Sequence, residues 1–438
     1  MNRAVFCIAV SFAAVISASA QVEVPASRSH EVVLTDNSPK AVPQPSRTPI
    51  IVGQKPSAAE SPGDAPVKEV VVGQPAGEQD AKPLAPVSTA VRPREVTGGV
   101  ASFRSIKAMI ADAKRQMQSR PITIASTGSV YPGLEVVRVA FSNSRTGDID
   151  YVTLEKAAFL STVSDKAVTS NGGTQVLVRT IRGNGVNTPV TIVEPDGTTH
   201  LPLIVQYPRV TNKIYEETAY YVSTHPGLVT PEVVGAGRLY VRNVLDLARE
   251  NLREKGIKID PKVVDVAERL AAVEHVDHLR FKTEPHNKIY DDVYTLFALN
   301  EGDTYRYAVS SAGAGGMVQM IPSTYRMVRS WHPNVGLMAD FVEGMRNHVN
   351  ASQAMLLYMQ RTWDDLLKSP TVNSAILSGY ANQKQLLAAG YNSNPARLPG
   401  YISRAGEGWT NLIPRETKIY LQIYESVERN VPMTPRAR

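Results

Sequence analysis

Cysteine is all but missing from this chain. Its 438 residues hold one, Cys7, and that one falls in an N-terminal segment with the form of a secretory leader. Arg3 supplies positive charge, an apolar run extends from Ala4 to about Ile16, and Ala18-Ser19-Ala20 fits the small-x-small cleavage pattern. Cleavage after Ala20 leaves a mature chain without thiols. That excludes disulfides, thiolate metal sites and cysteine nucleophiles. The apolar run is too short for a membrane span, with an uncleaved anchoring helix as the alternative, and no later stretch is long and apolar enough to cross a bilayer. Long basic runs are also missing. The net charge of +6 is scattered along the chain, so it suits a polyanionic surface such as a cell wall or membrane face better than nucleic acid.

Aromatic residues are missing from residues 21–98, where Pro, Ser, Gln, Ala and Val dominate and proline recurs at Pro39, Pro43, Pro45, Pro49, Pro56, Pro62 and Pro66. Such a segment cannot close a core and is expected to be a disordered tether. Within it, Ile51-Val52-Gly53-Gln54 and Val71-Val72-Gly73-Gln74 echo each other. Their alternative role is as peptide ligands for a partner.

What is present divides the remainder in two. Residues 99–230 read as a small β-rich accessory domain with a leading helix. Ile106, Met109, Ile110 and Ala113 fall at helical spacing, and Pro121 stops that helix. Strand-like runs follow at Ile122–Ala125, Leu134–Phe141, Ile149–Leu154, Gln175–Ile181, Val190–Val193 and Leu201–Gln206. The turn pairs Asn171-Gly172, Asn184-Gly185 and Asp196-Gly197 separate several of them. From Pro231 the chain is helical. Residues 231–284 form a bracing segment and 285–430 a domain of their own. Asp260-Pro261 opens a helix, Gly256 ends the one before it, Asn350 and Gln353 make a capping box ahead of Ala354–Leu367, and Pro414-Arg415-Glu416 opens the last helix. Residues 431–438 are expected to be a frayed tail.

One stretch of the helical part carries chemistry. Glu301 closes the apolar run Val293–Leu299, Ser310 lies nine residues on, and the glycine-rich Gly313-Ala314-Gly315-Gly316 then delivers Gln319. An acid at the edge of a buried helix loses solvent, and a carboxyl that keeps its proton near neutral pH can act as a general acid. Taken alone, a glutamate ending an apolar helix is usually just solvated. Asp292 and Asp303 are expected to face solvent, which leaves no second acid at a fixed short spacing. His275, Asp277, His278 and His286 are a candidate metal set, but the His-x-x-His spacing sits on an amphipathic helix and is weak evidence for zinc.

Together these residues resemble the soluble lytic transglycosylase catalytic domain. That family's first motif has a glutamate, a serine nine residues later, then Gly-Ala-x-Gly-Leu-Met-Gln and a proline. Here Glu301, Ser310, Ala312–Gly316 and Gln319 stand at those places. Its second motif appears as Gly390-Tyr391-Asn392 and its third as Pro414-Arg415-Glu416-Thr417-Lys418-Ile419-Tyr420. The resemblance covers roughly residues 285–430. Gly302, Met317-Val318, Met320-Ile321 and Asn394 depart from the family's wording.

The resemblance implies a multidomain α+β protein, with a mainly α, goose-type-lysozyme-like catalytic domain preceded by the small antiparallel β domain and the tether. It implies Glu301 as catalytic acid, with Ser310, Gln319, Tyr391 and Asn392 on the substrate. Gly313, Gly316, Ile321 and Glu416 would support them, Glu416 either fixing the last helix or touching substrate. The implied reaction cleaves the bond between N-acetylmuramic acid and N-acetylglucosamine in peptidoglycan, leaving 1,6-anhydromuramyl ends, without metal or cofactor. Peptidoglycan strands are then the partner, a cell-envelope complex held through residues 21–230 is a further one, and the compartment is the periplasm, with outer-membrane or wall association as an option. A muramidase or chitinase, and a silent wall-binding module, are the alternatives.

Overall fold

The computed structural model describes residues 101–120, 122, 135–211, 214–301 and 312–437, together with the strand pair 50–51. The rest of the tether, the strand expected at Ile122–Ala125 beyond its first residue, and Gly302, Asp303 and Ser310 lie outside the described residues. The architecture is mixed α and β: a β-sheet domain over about 136–230, followed by a mainly helical region over about 231–430.

In chain order the first elements are β1 (Ile50–Ile51), α1 (Phe103–Ser119), β2 (Val136–Ser142), β3 (Ile149–Glu155), α2 (Lys156–Leu160), β4 (Lys166–Thr169), β5 (Gln175–Thr180), β6 (Val190–Val193), β7 (Thr199–Thr211) and β8 (Ile214–Tyr221). They form one sheet in the order β1-β8-β7-β6-β5-β4, with β2 joining β7 to β3. Every pairing is antiparallel. The strands at 136–142, 149–155, 175–180 and 190–193 fall where alternation places them. β7 is longer than expected, and β4 and β8 were not expected. The Ile-Tyr-Glu-Glu-Thr-Ala-Tyr-Tyr of β8 hides its strand character behind two glutamates, whose partners come from elsewhere: Arg209 for Glu216 and Arg346 for Glu217.

Turn chemistry explains the hairpins. Gly197 takes φ +91° between β6 and β7, and Asp196 Oδ1 accepts from Thr198 N at 2.9 Å, as an Asp-Gly turn does. In the β4–β5 hairpin the positive φ falls on Gly173 instead of Gly172. Gly172 is there for space: a Cβ would lie 2.7 Å from Asp150 Oδ2.

The sheet is buried on both faces. Ala140, Tyr151, Leu203 and Ile204 pack against Ile106, Ile110, Ala113 and Met117 of α1, whereas Val137, Val139, Phe141 and Val152 belong to a core that continues into the helices. A buried aliphatic side chain contributes about 2 kcal/mol, so this apolar stripe is what holds α1.

The helical region comprises α3 (Pro231–Glu254), α4 (Pro261–Val273), α5 (His278–Thr283), α6 (His286–Leu299), α7 (Pro322–Trp331), α8 (Phe341–Arg346), α9 (His348–Leu367), α10 (Pro370–Leu377), α11 (Gln383–Asn392), α12 (Leu398–Ala405) and α13 (Arg415–Asn430). Asp260 caps α4 by accepting from Lys262 N at 2.9 Å, and Gly256 takes φ +78° just beyond α3. The expected capping box is displaced: α9 begins at His348, and its cap is Asn347, which accepts from Asn350 N at 3.0 Å. Asn350 lies inside the helix, and its side chain ties Met338 N, Tyr325 and Gly344 O together.

Two contacts fix α6. Gly237 of α3 approaches so closely that a Cβ would fall 1.9 Å from Tyr294 O, so any side chain there would force the helices apart. At the far end, buried Asn300 clips α6 to the end of β8, accepting from Val222 N at 2.9 Å and donating to Val222 O at 2.8 Å. The C-terminal segment is not frayed. Arg436 is buried, with ion pairs to Asp246 (2.5 Å), Asp265 (2.9 Å) and Glu268 (2.5 Å). Three carboxylates gathered by α3 and α4 are its reason to dock. Among the described residues no helix is long and apolar enough to cross a membrane.

Candidate active site

α4 is apolar along nearly its whole length, with Val263, Val264, Val266, Ala267, Leu270, Ala271, Ala272 and Val273 buried. The residue that ends it is Glu274. Packing of α4 against α9, α11 and α13 carries this carboxyl to the wall of a cavity of about 890 Å³. Burial pushes its pKa up to about 8, and the charge of Glu416 works in the same direction, while a hydrogen bond from Tyr420 opposes them. That bond runs from Tyr420 Oη to Glu274 Oε1 at 2.5 Å. Glu274 therefore holds its proton at neutral pH. The C-terminal end of a helix, which disfavours negative charge, is a consistent setting for it.

The glycine-rich turn contributes another part of the wall. Gly313 and Gly316 take φ +80° and +70°, and a Cβ on Gly316 would lie 2.5 Å from Met345 O. Gln319 also sits at positive φ, +49°, a conformation costing of order 1 kcal/mol for a non-glycine residue. Its Nε2 donates to Gly316 O at 2.7 Å. Gln319, Met320 and Ile321 face the cavity, as do Ala312 and Ala314.

Two links hold turn and acid together. His275, next to Glu274, is 2.9 Å from Met317 O through Nε2. Burial lowers its pKa to about 4, so the ring is neutral and donates. Tyr391 Oη donates to Val318 O at 2.7 Å. Burial raises the Tyr391 and Tyr420 phenols well above their ordinary range, which keeps both protonated.

Several expected residues meet here. Gln319, Ile321, Tyr391, Asn392 and Glu416 line the cavity, with Asn392 Oδ1 accepting from Thr417 Oγ1 at 2.8 Å. Gly313 and Gly316 shape the turn, and Ser310 lies outside the described residues. Asn394 does not use left-handed backbone: at φ −74° it caps a short helical turn.

Glu301 is elsewhere. It follows Asn300, beyond the end of α6, and does not face the cavity. Lys107 Nζ donates to its Oε2 at 2.6 Å, and both side chains are more than a third exposed. The desolvated acid expected at this position is thus a solvent-facing, ion-paired carboxylate. The reason is tertiary. α6 is anchored to α3 and to β8, which aims its end at α1 and away from the cavity wall that Glu274 lines. Asp292, expected in solvent, is buried and paired with Arg280 at 2.5 Å.

The histidines weighed for metal are engaged differently. Asp277 caps α5, and His286 stacks on Phe281 at 4.1 Å while bonding Ser426 and Phe281 O. Among the described residues no group of three or more His, Cys, Asp or Glu is placed to hold a metal.

The cavity also contains residues that sequence reasoning did not single out: Trp331 of α7 and Tyr358, Arg361 and Thr362 of α9. One signal for Glu274 was present. Ala271-Ala272-Val273-Glu274 is an apolar helix closed by an acid, as Val293–Leu299 with Glu301 is. Comparison with known proteins finds no matching family model, no similar curated protein and no similar solved structure.

Proposed function

We propose that this chain is a peptidoglycan lytic transglycosylase whose acid is Glu274. The observation that carries the reading is the Glu274 carboxyl, hydrogen-bonded by Tyr420, on the wall of a cavity also lined by Gln319 of the glycine turn, the Tyr391-Asn392 pair and Glu416. These are the three motif pieces that resemble the transglycosylase domain, and they surround Glu274 instead of Glu301.

In this reading Glu274 donates its proton to the glycosidic oxygen as the C1–O bond breaks. The substrate's N-acetyl group stabilises the positive charge that develops at C1. The Glu274 carboxylate so formed then takes the proton of the muramyl 6-hydroxyl, whose oxygen closes on C1. General-acid catalysis of this kind contributes about 10²–10⁴-fold. Tyr420 fixes the carboxyl's orientation through its 2.5 Å bond. Gln319 and Asn392 offer neutral polar groups to sugar hydroxyls and amides.

Glu416 supports a second reading. It lines the same cavity as Glu274, and two carboxyls flanking one glycosidic bond are the equipment of a hydrolase. Digestion of purified sacculi with mass spectrometry of the products separates the two. Anhydromuramyl ends are the expected result, and reducing ends formed with water would replace the lyase by a muramidase. Glu274→Gln is expected to abolish release and Glu301→Gln to retain it. An inert wild-type protein would leave only a wall-binding module. Export through the N-terminal leader and attachment to an envelope complex through residues 21–230 belong to the same proposal.

A further inference from the structure

The cavity wall carries a cation as well as acids. Glu274 and Glu416 stand at one part of the wall, and Arg361 of α9 supplies a cation to another. A row of aromatic rings relates them. Tyr391, whose phenol senses the Glu274 charge, meets Tyr358 edge-on with centroids 5.9 Å apart. Tyr358 stacks on Trp331 at 6.4 Å with an interplanar angle of 2°. The Arg361 guanidinium lies over the Trp331 ring, 5.2 Å from its centroid.

Arg361 is held but not used up. Nε donates to Asp365 Oδ2 at 3.1 Å, and among the described residues neither Nη atom has a hydrogen-bond partner. Asp365 is shared with Lys368, whose Nζ lies 2.6 Å from Oδ1. Asp365 thus divides its charge between two cations, which leaves the Arg361 charge only partly offset. Stacking on Trp331 and the bond to Asp365 fix the plane of the guanidinium, so that its outer edge presents two parallel N–H groups. That is the geometry that grips a carboxylate in bidentate fashion.

We propose that Arg361 is a specificity-determining residue that selects glycans bearing a stem-peptide carboxylate on a muramyl sugar over neutral N-acetylglucosamine polymers. This rests on the glycan-cleaving reading above and adds the substrate's charge to it. The Trp331 and Tyr358 faces take the apolar side of the sugar, which carries no charge information. Arg361 reads the acidic substituent beyond it.

The test measures binding in the Glu274→Gln protein, which separates recognition from turnover. The probes are a soluble peptidoglycan fragment that carries its stem peptides and neutral chitohexaose, titrated calorimetrically at two salt concentrations. Arg361→Gln is expected to weaken the acidic fragment about tenfold, to flatten its salt dependence and to leave chitohexaose within twofold. Asp365→Asn removes the negative charge beside Arg361 while keeping an oxygen that can accept from Nε, and is expected to tighten the acidic fragment. Equal losses for both probes, or no loss for either, would overturn the proposal. Failure of the parent reading looks different: wild-type protein would release nothing from sacculi even while discriminating between the two probes.

Discussion

Replacing Glu274 by glutamine should make the protein more stable, by an amount that depends on pH. The carboxyl's pKa rises from 4.5 to about 8 on folding, so between those values the folded state holds a proton that the unfolded state has lost. The sign follows from linkage. A raised folded-state pKa means full stability below about pH 4.5 and progressive loss as pH rises towards 8, at about 1.4 kcal/mol per unit. Glutamine occupies the same space as the protonated acid and does not titrate. Wild type and Glu274→Gln should therefore unfold with nearly equal free energies at pH 4.5. At pH 7 the variant should lead by about 3 kcal/mol as a ceiling, because cavity water softens the penalty. Urea unfolding of both proteins at pH 4.5, 6 and 7.5, with the m-value as a check on the unfolded state, reads the difference directly. Parallel pH curves would refute the desolvation of the Glu274 carboxyl, and with it the argument that this residue carries the proton.

Further predictions follow from the same geometry. Turnover should fall as pH rises through about 8, where Glu274 loses its proton. Because the Tyr420 bond lowers the Glu274 pKa, Tyr420→Phe should move that alkaline limb upward, in pH–rate profiles of muropeptide release. Glu301→Gln removes an exposed ion pair with Lys107. It should change thermal stability by less than about 1 kcal/mol and leave product release intact. Arg436→Ala removes the partner of Asp265 and leaves Asp246 and buried Glu268 to Arg242 alone, and should cost about 3 kcal/mol in denaturant unfolding.

Much of the scaffold was legible because it is decided locally. Asp260-Pro261 and Pro414-Arg415 mark helix starts by cap and fixed φ, Asp196-Gly197 marks a hairpin, and β2, β3, β5 and β6 show their apolar residues in short runs. β8 was hidden because its glutamates are neutralised across the fold, Glu216 by Arg209 of the neighbouring strand and Glu217 by Arg346 far along the chain. Asn350 looked like a cap because a capping side chain and a buried hydrogen-bonding side chain are the same residue type in the same local pattern. Arg436 gave no sign of docking, since the three acids it joins lie in helices well upstream.

The candidate site divides along the same line. From the amino-acid order alone came a glycine turn delivering Gln319, a Tyr391-Asn392 pair, a last helix opened by Pro414 and Glu416, and an acid at the end of an apolar helix. Each of these is a matter of backbone freedom, capping or local polarity, which neighbours along the chain determine. Two helices end in such an acid, and choosing between them requires knowing which end faces the turn. That depends on α6 being clamped by Gly237 and clipped by Asn300, and on His275 reaching Met317 O across the intervening residues. Desolvation is a property of the surroundings, so only the tertiary structure could set Glu274 half-buried beside Tyr420 and leave Glu301 with Lys107 in water.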